Sequence, residues 1–96
     1  MTVTARWNGE EIARSDETLV VEGNHYFPPS SVARSALVPS DKTTVCSWKG
    51  VAQYHSINAG GDINTDAAWY YPNPKDAAGE IKDHIAFGNG VEVVEE

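Results

Sequence analysis

The chain has 96 residues, a formal net charge of −7 and one cysteine, and 41% of its residues are hydrophobic. This length predicts a single domain over residues 1–96 with enough apolar side chains for a core. A lone cysteine excludes an internal disulfide and a cysteine-based zinc site, and it suits a reducing, cytoplasmic location. No apolar run reaches the ~18 residues of a membrane span, and the acidic balance disfavours nucleic acid as a partner.

Turn signals recur at short intervals and predict antiparallel strands. Asn8-Gly9, Gly60-Gly61 and Gly88-Asn89-Gly90 each separate stretches that suit strands. The predicted strands are residues 3–7, 11–14, 18–22, 25–27, 43–48, 50–57, 63–71, 85–87 and 91–94. The last two are expected to pair as a hairpin, Gly23-Asn24 is expected to form a turn, and residues 38–41 are expected to form a loop.

Helical segments are expected to be short. Ser30 or Ser31 can cap one or two turns that end at Ala36. Residues 75–82 have a helical composition that Gly79 interrupts. The predicted fold is therefore mainly β, with antiparallel sheets and one or two short helices.

Three residues of the central segment are candidates for catalysis. Cys46 is a potential nucleophile, but an apolar-leaning strand equally suits a buried, unreactive thiol. Lys49 precedes Gly50 at a strand junction, where its amine either leans into a cavity or is a solvated turn residue. His55 is a candidate acid or base, or a surface histidine.

Aromatic residues gather in three stretches of the sequence around this segment. Packing in the core is the default interpretation, and the wall of a concave pocket is the alternative. In the second case Lys49 supplies the polar anchor. The predicted ligand-binding residues are Tyr26, Trp48, Lys49, Trp69 and Tyr71.

No metal or other cofactor is predicted. The spacing of His25, His55 and His84 fits no known ligand signature. Residues 62–66 imitate the start of a calcium loop, but Ala67 stands where that loop needs glycine and Asn73 where it needs glutamate.

Four ordered blocks of the sequence resemble the domain-of-unknown-function 427 family. The blocks are Tyr26-Phe27-Pro28 with Val32-Ala33-Arg34, then Cys46-x-Trp48-Lys49-Gly50-x-Ala52-x-Tyr54, then Ala67-Ala68-Trp69-x-Tyr71-Pro72-x-Pro74, and Ile81-x-x-His84-Ile85-Ala86-Phe87. The resemblance implies a small β-rich domain with bent, β-tent-like sheets. Many β-tent proteins bind zinc through paired cysteines, which this chain lacks. A nucleotidyltransferase label attached to some members implies a further, less favoured activity.

These observations favour a soluble module that binds a small anionic or carbonyl-bearing molecule. The alternatives are a small enzyme with Cys46 as nucleophile, His55 as base and Lys49 as electrostatic stabiliser, or a purely structural interaction domain. Whether any reaction is catalysed stays open, as does the pairing of an exposed strand edge with a second copy in a homodimer.

Overall fold

Nine strands in three antiparallel sheets make up most of the chain. The computed structural model describes all residues from 1 to 96. The strands are β1 (Val3–Trp7), β2 (Glu10–Ser15), β3 (Leu19–Val21), β4 (Asn24–Tyr26), β5 (Leu37–Cys46), β6 (Gly50–Ala59), β7 (Asp62–Tyr70), β8 (Ile85–Phe87) and β9 (Glu92–Glu95). Their order is β2-β1-β9, β3-β4 and β5-β6-β7-β8.

Helix is confined to three 3-10 turns, at Pro29–Ser31, Arg34–Ala36 and Asp76–Ile81. The predicted antiparallel β architecture with little helix is therefore confirmed. None of the helical segments is long and apolar enough to cross a membrane.

Three local sequence predictions are wrong. Residues 38–41 are not a loop, because β5 begins at Leu37 and continues through Pro39, which pairs with His55. An edge strand tolerates proline in this way. The turn predicted at Gly23-Asn24 lies one residue earlier. The last two strands do not form a hairpin, since β8 pairs with β7 whereas β9 pairs with β1.

A hydrophobic core packs against each face of the four-stranded sheet. Successive side chains of a strand point to opposite faces, so the cross-strand pair Tyr54 and Trp69 faces one side and the next pair, His55 and Ala68, faces the other. We call these the first and the second face. The core against the first face consists of Tyr26, Ala52, Tyr71, Ala78, Ile81 and Ala86. The larger core against the second face includes residues of the β2-β1-β9 sheet, among them Val3, Ala5, Ile12 and Ala13.

Bulges interrupt the pairing on both sides of β6. The register shifts between Pro39 and Thr43 on one side and between His55 and Ile57 on the other. Ser40 Oγ donates a hydrogen bond to the Asp66 carboxylate at 2.5 Å, and the Asp66 N–H donates to Ser56 Oγ at 3.0 Å. Each bulge adds two residues to the strand that pairs with β6, so the face that each side chain points to is preserved while the sheet bends.

Gly60 lies where the β6–β7 turn meets the β1–β2 turn. Its φ is +60°, and a Cβ atom there would lie 2.5 Å from Asn8 Nδ2 and 2.8 Å from the Asn8 carbonyl oxygen. The Asn8 amide donates to the Ala59 carbonyl at 3.0 Å, which fixes this approach. Gly61 has a φ of +83° but open space around it, so it offers a matched control.

We expect Gly60→Ala to lower the free energy of unfolding by about 2–5 kcal/mol, because a left-handed backbone costs about 1–2 kcal/mol and overpacking about 1–3 kcal/mol. Gly61→Ala should lose only the first amount. Urea unfolding of the two variants measures the difference. Equal losses would contradict the close packing of the two turns.

Candidate functional site

The five predicted ligand-binding residues lie together at the first face. Lys49 Nζ is 5.3 Å from the ring centroid of Trp48 and 5.6 Å from that of Tyr71. The rings of Tyr71 and Tyr26 are 6.5 Å apart, and Trp69 Nε1 donates to the Tyr26 hydroxyl at 3.2 Å. We call this connected group of Tyr26, Trp48, Lys49, Trp69 and Tyr71 the Lys49 cluster.

The hairpin that carries Lys49 is braced by the segment that follows β7. The Lys75 N–H donates to the Lys49 carbonyl at 2.9 Å, and Lys75 Nζ donates to the Ser47 carbonyl at 2.7 Å. Gly50 has a φ of +111°, and a Cβ atom there would lie 3.4 Å from the Asn73 carbonyl oxygen. The backbone around Lys49 is therefore held on two sides, as a positioned functional group requires.

The aromatic members of the cluster divide into core and surface. Tyr26 and Tyr71 are buried, Trp69 is half-buried, and Trp48 is 38% exposed. Burial raises the pKa of Tyr71 to about 12 and also raises the pKa of Tyr26. Both phenols are therefore protonated at neutral pH and can donate hydrogen bonds, whereas only Trp48 presents much of its ring to solvent.

Lys49 is buried, with 6% of its surface exposed. Its amine faces two aromatic rings and forms an ion pair with Glu22. The Glu22 side chain is 52% exposed. Burial lowers the pKa of Lys49, because the charged ammonium is favoured less away from water. The amine is in neither expected environment: side chains enclose it, so it is not a solvated turn residue, and it lines none of the cavities.

Sequence reasoning missed Glu22, which lies 27 residues before its partner. Glu22 and Gly23 form the turn between β3 and β4, with φ values of +52° and +80°. Asn, Asp or Gly is the usual residue at the first of these left-handed positions. A glutamate at this position was the signal in the sequence that could have indicated a role for Glu22. The turn itself does not require a glutamate, whereas the ion pair with Lys49 does.

Cys46 and His55 are not brought together. Cys46 pairs with Gly50 at the end of the β5–β6 hairpin, and His55 lies five residues further along β6. A rise of about 3.4 Å per residue separates the two positions by about 17 Å, and an odd number of residues places them on opposite faces. Cys46 is half-buried against the first core. The candidates Cys46, Lys49 and His55 therefore do not form one catalytic group.

His55 lies on the second face in a different environment. Its ring stacks on Tyr70, with centroids 4.8 Å apart and 15° between planes. His55 Nδ1 is buried and has no hydrogen-bond partner. Burial lowers the pKa of His55, although the Val38 backbone favours the protonated ring. The imidazole is therefore neutral at neutral pH.

Three cavities open at the surface, with volumes of about 220, 350 and 400 Å³. His55 and Tyr70 line the second of them. None is lined by a member of the Lys49 cluster. The most accessible member of the cluster is Trp48, and the Glu22 carboxylate that pairs with Lys49 is also accessible.

The acidic stretch after Gly61 is engaged in hydrogen bonds. Asp62 accepts from the Asn8 amide at 3.1 Å, and Asn64 donates to the Asn89 carbonyl at 2.8 Å. Asp66 accepts from Ser40. The structure contains no group of three or more His, Cys, Asp or Glu side chains arranged to hold a metal ion.

The fold and the Lys49 cluster define a small, three-sheet antiparallel β domain with a buried lysine at the edge of an aromatic core. The chain belongs to the family described as domain of unknown function (DUF427), whose match covers residues 1–96. No curated protein matches the chain.

We expect Glu22→Gln to destabilise the protein more than Lys49→Met. The first change leaves a buried ammonium without a counter-ion, at a cost of about 1–3 kcal/mol. The second keeps an alkyl stem against the rings and leaves a carboxylate that water can solvate, so its cost should stay within about 1 kcal/mol. Urea unfolding at neutral pH measures both.

The pH dependence of Glu22→Gln provides a second test. Because the pKa of Lys49 is lowered in the folded protein, the unfolded chain binds the proton more tightly. Stability should therefore rise as the pH increases from that lowered pKa towards the ordinary lysine value of 10.5. Lys49→Met should lack this rise, and an equal rise in Lys49→Met would assign it to another group.

Proposed function

We propose that this domain is a binding module for a small organic anion that carries a flat group. The ligand's carboxylate, or another negatively charged oxygen, pairs with Lys49 in place of Glu22, and its flat group stacks on the exposed Trp48 ring. A carbonyl oxygen can occupy the same position, because an ammonium donates to either. The observation that carries this proposal is the buried amine whose carboxylate partner is largely exposed.

The unequal exposure of the two partners supports exchange of the counter-ion. Lys49 needs a negative partner wherever its amine stays buried. Glu22, with half of its side chain in water, is readily solvated when it swings away, so the cost of separating the pair falls on the Lys49 amine. An incoming carboxylate can therefore replace Glu22 without leaving an unpaired buried charge.

Trp48 gives the proposed site its apolar surface. Its ring is 38% exposed and lies beside the Lys49 amine. A flat ligand group would cover this ring, and aromatic pairs add about 0.5–1.5 kcal/mol beyond the area that they bury. A charged anchor beside a flat apolar surface favours an aromatic or conjugated carboxylate over a small inorganic ion.

Benzoate and its neutral counterpart benzamide test the proposal. We expect benzoate to shift the Trp48 indole N–H signal in NMR titrations and benzamide to bind more weakly. Lys49→Met should weaken benzoate binding by about tenfold or more, because a hydrogen bond to a charged group contributes about 1.5–3 kcal/mol. Glu22→Gln should strengthen it, because the competing carboxylate is gone.

Lys42→Met is the matched control. Lys42 Nζ also lies over an aromatic ring, 4.8 Å from the centroid of Tyr54, but Lys42 is exposed and has no carboxylate partner. Its replacement should leave benzoate binding unchanged. Unchanged binding in Lys49→Met, or weaker binding in Glu22→Gln, would contradict the exchange of partners. The cytoplasmic location and the homodimer stay predictions.

A further inference from the structure

The cavity on the second face has the size of a ligand site and is separate from the Lys49 cluster. Its volume of about 350 Å³ lies within the ~300–1,000 Å³ of small-molecule sites. It lies beside the 3-10 turn that leads into β5, and strands β5 to β8 all contribute to its lining. We call it the Arg34–Asp83 cleft, after the two charged residues that line it.

Arg34 and Asp83 carry opposite charges, yet neither takes part in an ion pair. Because neither charge is paired within the protein, both can pair with groups of a ligand. A simple anion at Arg34 would face the Asp83 carboxylate, and a simple cation at Asp83 would face the guanidinium. A ligand that carries both charges avoids both repulsions and gains two charge-assisted hydrogen bonds.

The backbone holds Asp83 in position. Its φ is +61°, and its N–H donates to the Tyr71 carbonyl at 3.1 Å. The preceding Lys82 forms a bridge with Tyr71. Arg34 begins a 3-10 turn, and the Arg34 carbonyl accepts a hydrogen bond from the Leu37 N–H. Both charged residues therefore stand on fixed backbone, which reduces the ordering that a ligand would need to impose.

The remaining lining is apolar and aromatic. Leu37 and Ile85 supply aliphatic surface, and the stacked rings of His55 and Tyr70 form a flat wall. Because burial lowers the pKa of His55, this wall is uncharged at neutral pH. Such a surface suits the hydrocarbon or aromatic part of a ligand.

We propose that the Arg34–Asp83 cleft binds a small zwitterion with an apolar body, of the class of hydrophobic or aromatic α-amino acids. The ligand carboxylate accepts from the Arg34 guanidinium, and its ammonium donates to Asp83. Its side chain lies against Leu37, Ile85 and Tyr70. This proposal concerns the second face and does not depend on the function proposed for the Lys49 cluster.

Three probes that share one aromatic body test the proposal. L-phenylalanine carries both charges, phenethylamine only the ammonium and phenylpropanoate only the carboxylate. We expect millimolar L-phenylalanine to shift the backbone amide signals of Leu37 and Ile85 in NMR titrations. Each singly charged probe should bind about tenfold more weakly, the worth of one charge-assisted hydrogen bond.

Two variants then assign each charge. Arg34→Gln should bind L-phenylalanine no better than this variant binds phenethylamine. Asp83→Asn should bind L-phenylalanine no better than this variant binds phenylpropanoate. Asparagine tolerates the positive φ of position 83, so this variant keeps the backbone and decides the question if Arg34→Gln unfolds. Thermal melts verify that each variant is folded.

Lys42→Gln and Asp76→Asn are the matched controls, since both residues are exposed and neither lines the cleft. Both should bind L-phenylalanine as the unmodified protein does, and so should Lys49→Met. Equal affinity for the three probes, no shift at Leu37 and Ile85, or equal losses in the control variants would overturn the proposal. Because Lys49→Met is included, failure of this proposal is distinguishable from failure of benzoate binding at the Lys49 cluster.

Discussion

The packing of a separate core against each face of the β5-β6-β7-β8 sheet is the constraint on which the rest of the structure depends. It places the buried side chains of β6 and β7 in one of two cores, so that neighbours such as Tyr54 and His55 enter different environments. A slip of one residue would exchange the faces and bring polar and charged side chains into both cores. The Lys49 cluster and the Arg34–Asp83 cleft are consequences of this register, one on each face.

The bulges beside β6 bend the sheet without disturbing that assignment. Ser40, Ser56 and Asp66 join β5, β6 and β7 through two hydrogen bonds at the point where the pairing is interrupted. Asp66 holds a positive φ of 56° there, which its hydrogen bonds help to offset. The bend therefore comes from a polar connection between three strands, while the alternation of apolar side chains continues on either side of it.

Turn residues made much of the local structure predictable. Asn8-Gly9 and Gly60-Gly61 both adopt the positive φ values of tight hairpins, so the strands on either side were placed close to their observed bounds. The turn at Asn89-Gly90 led to the wrong prediction that β8 and β9 pair with each other. A turn fixes a change of direction but not the partner of the strand that follows. The choice of partner depends on how distant strands pack together, and the local pattern of residues around a turn does not show it.

The candidate site was predictable to the same extent. The aromatic residues and Lys49 stand in strand patterns whose alternation sends them to one face, so their proximity follows from the sequence and from antiparallel pairing. The pairing of Glu22 with Lys49 and the Arg34–Asp83 cleft could not be predicted from the sequence, because each depends on how separate parts of the chain approach one another in space. Cys46 and His55 were grouped through nearness along the chain, whereas distance along a strand and opposite faces decide their separation.

The electrostatics of the chain give Lys49 a particular status. Every other lysine and arginine is exposed, whereas this amine is enclosed in a protein whose net charge is −7. A buried cation needs a negatively charged partner nearby. Tyr71 lies beside the amine but is fixed in the core, and its neutral phenol supplies no negative charge. Glu22 supplies that charge from the exposed side of the cluster, and this is where the proposed ligand carboxylate would bind.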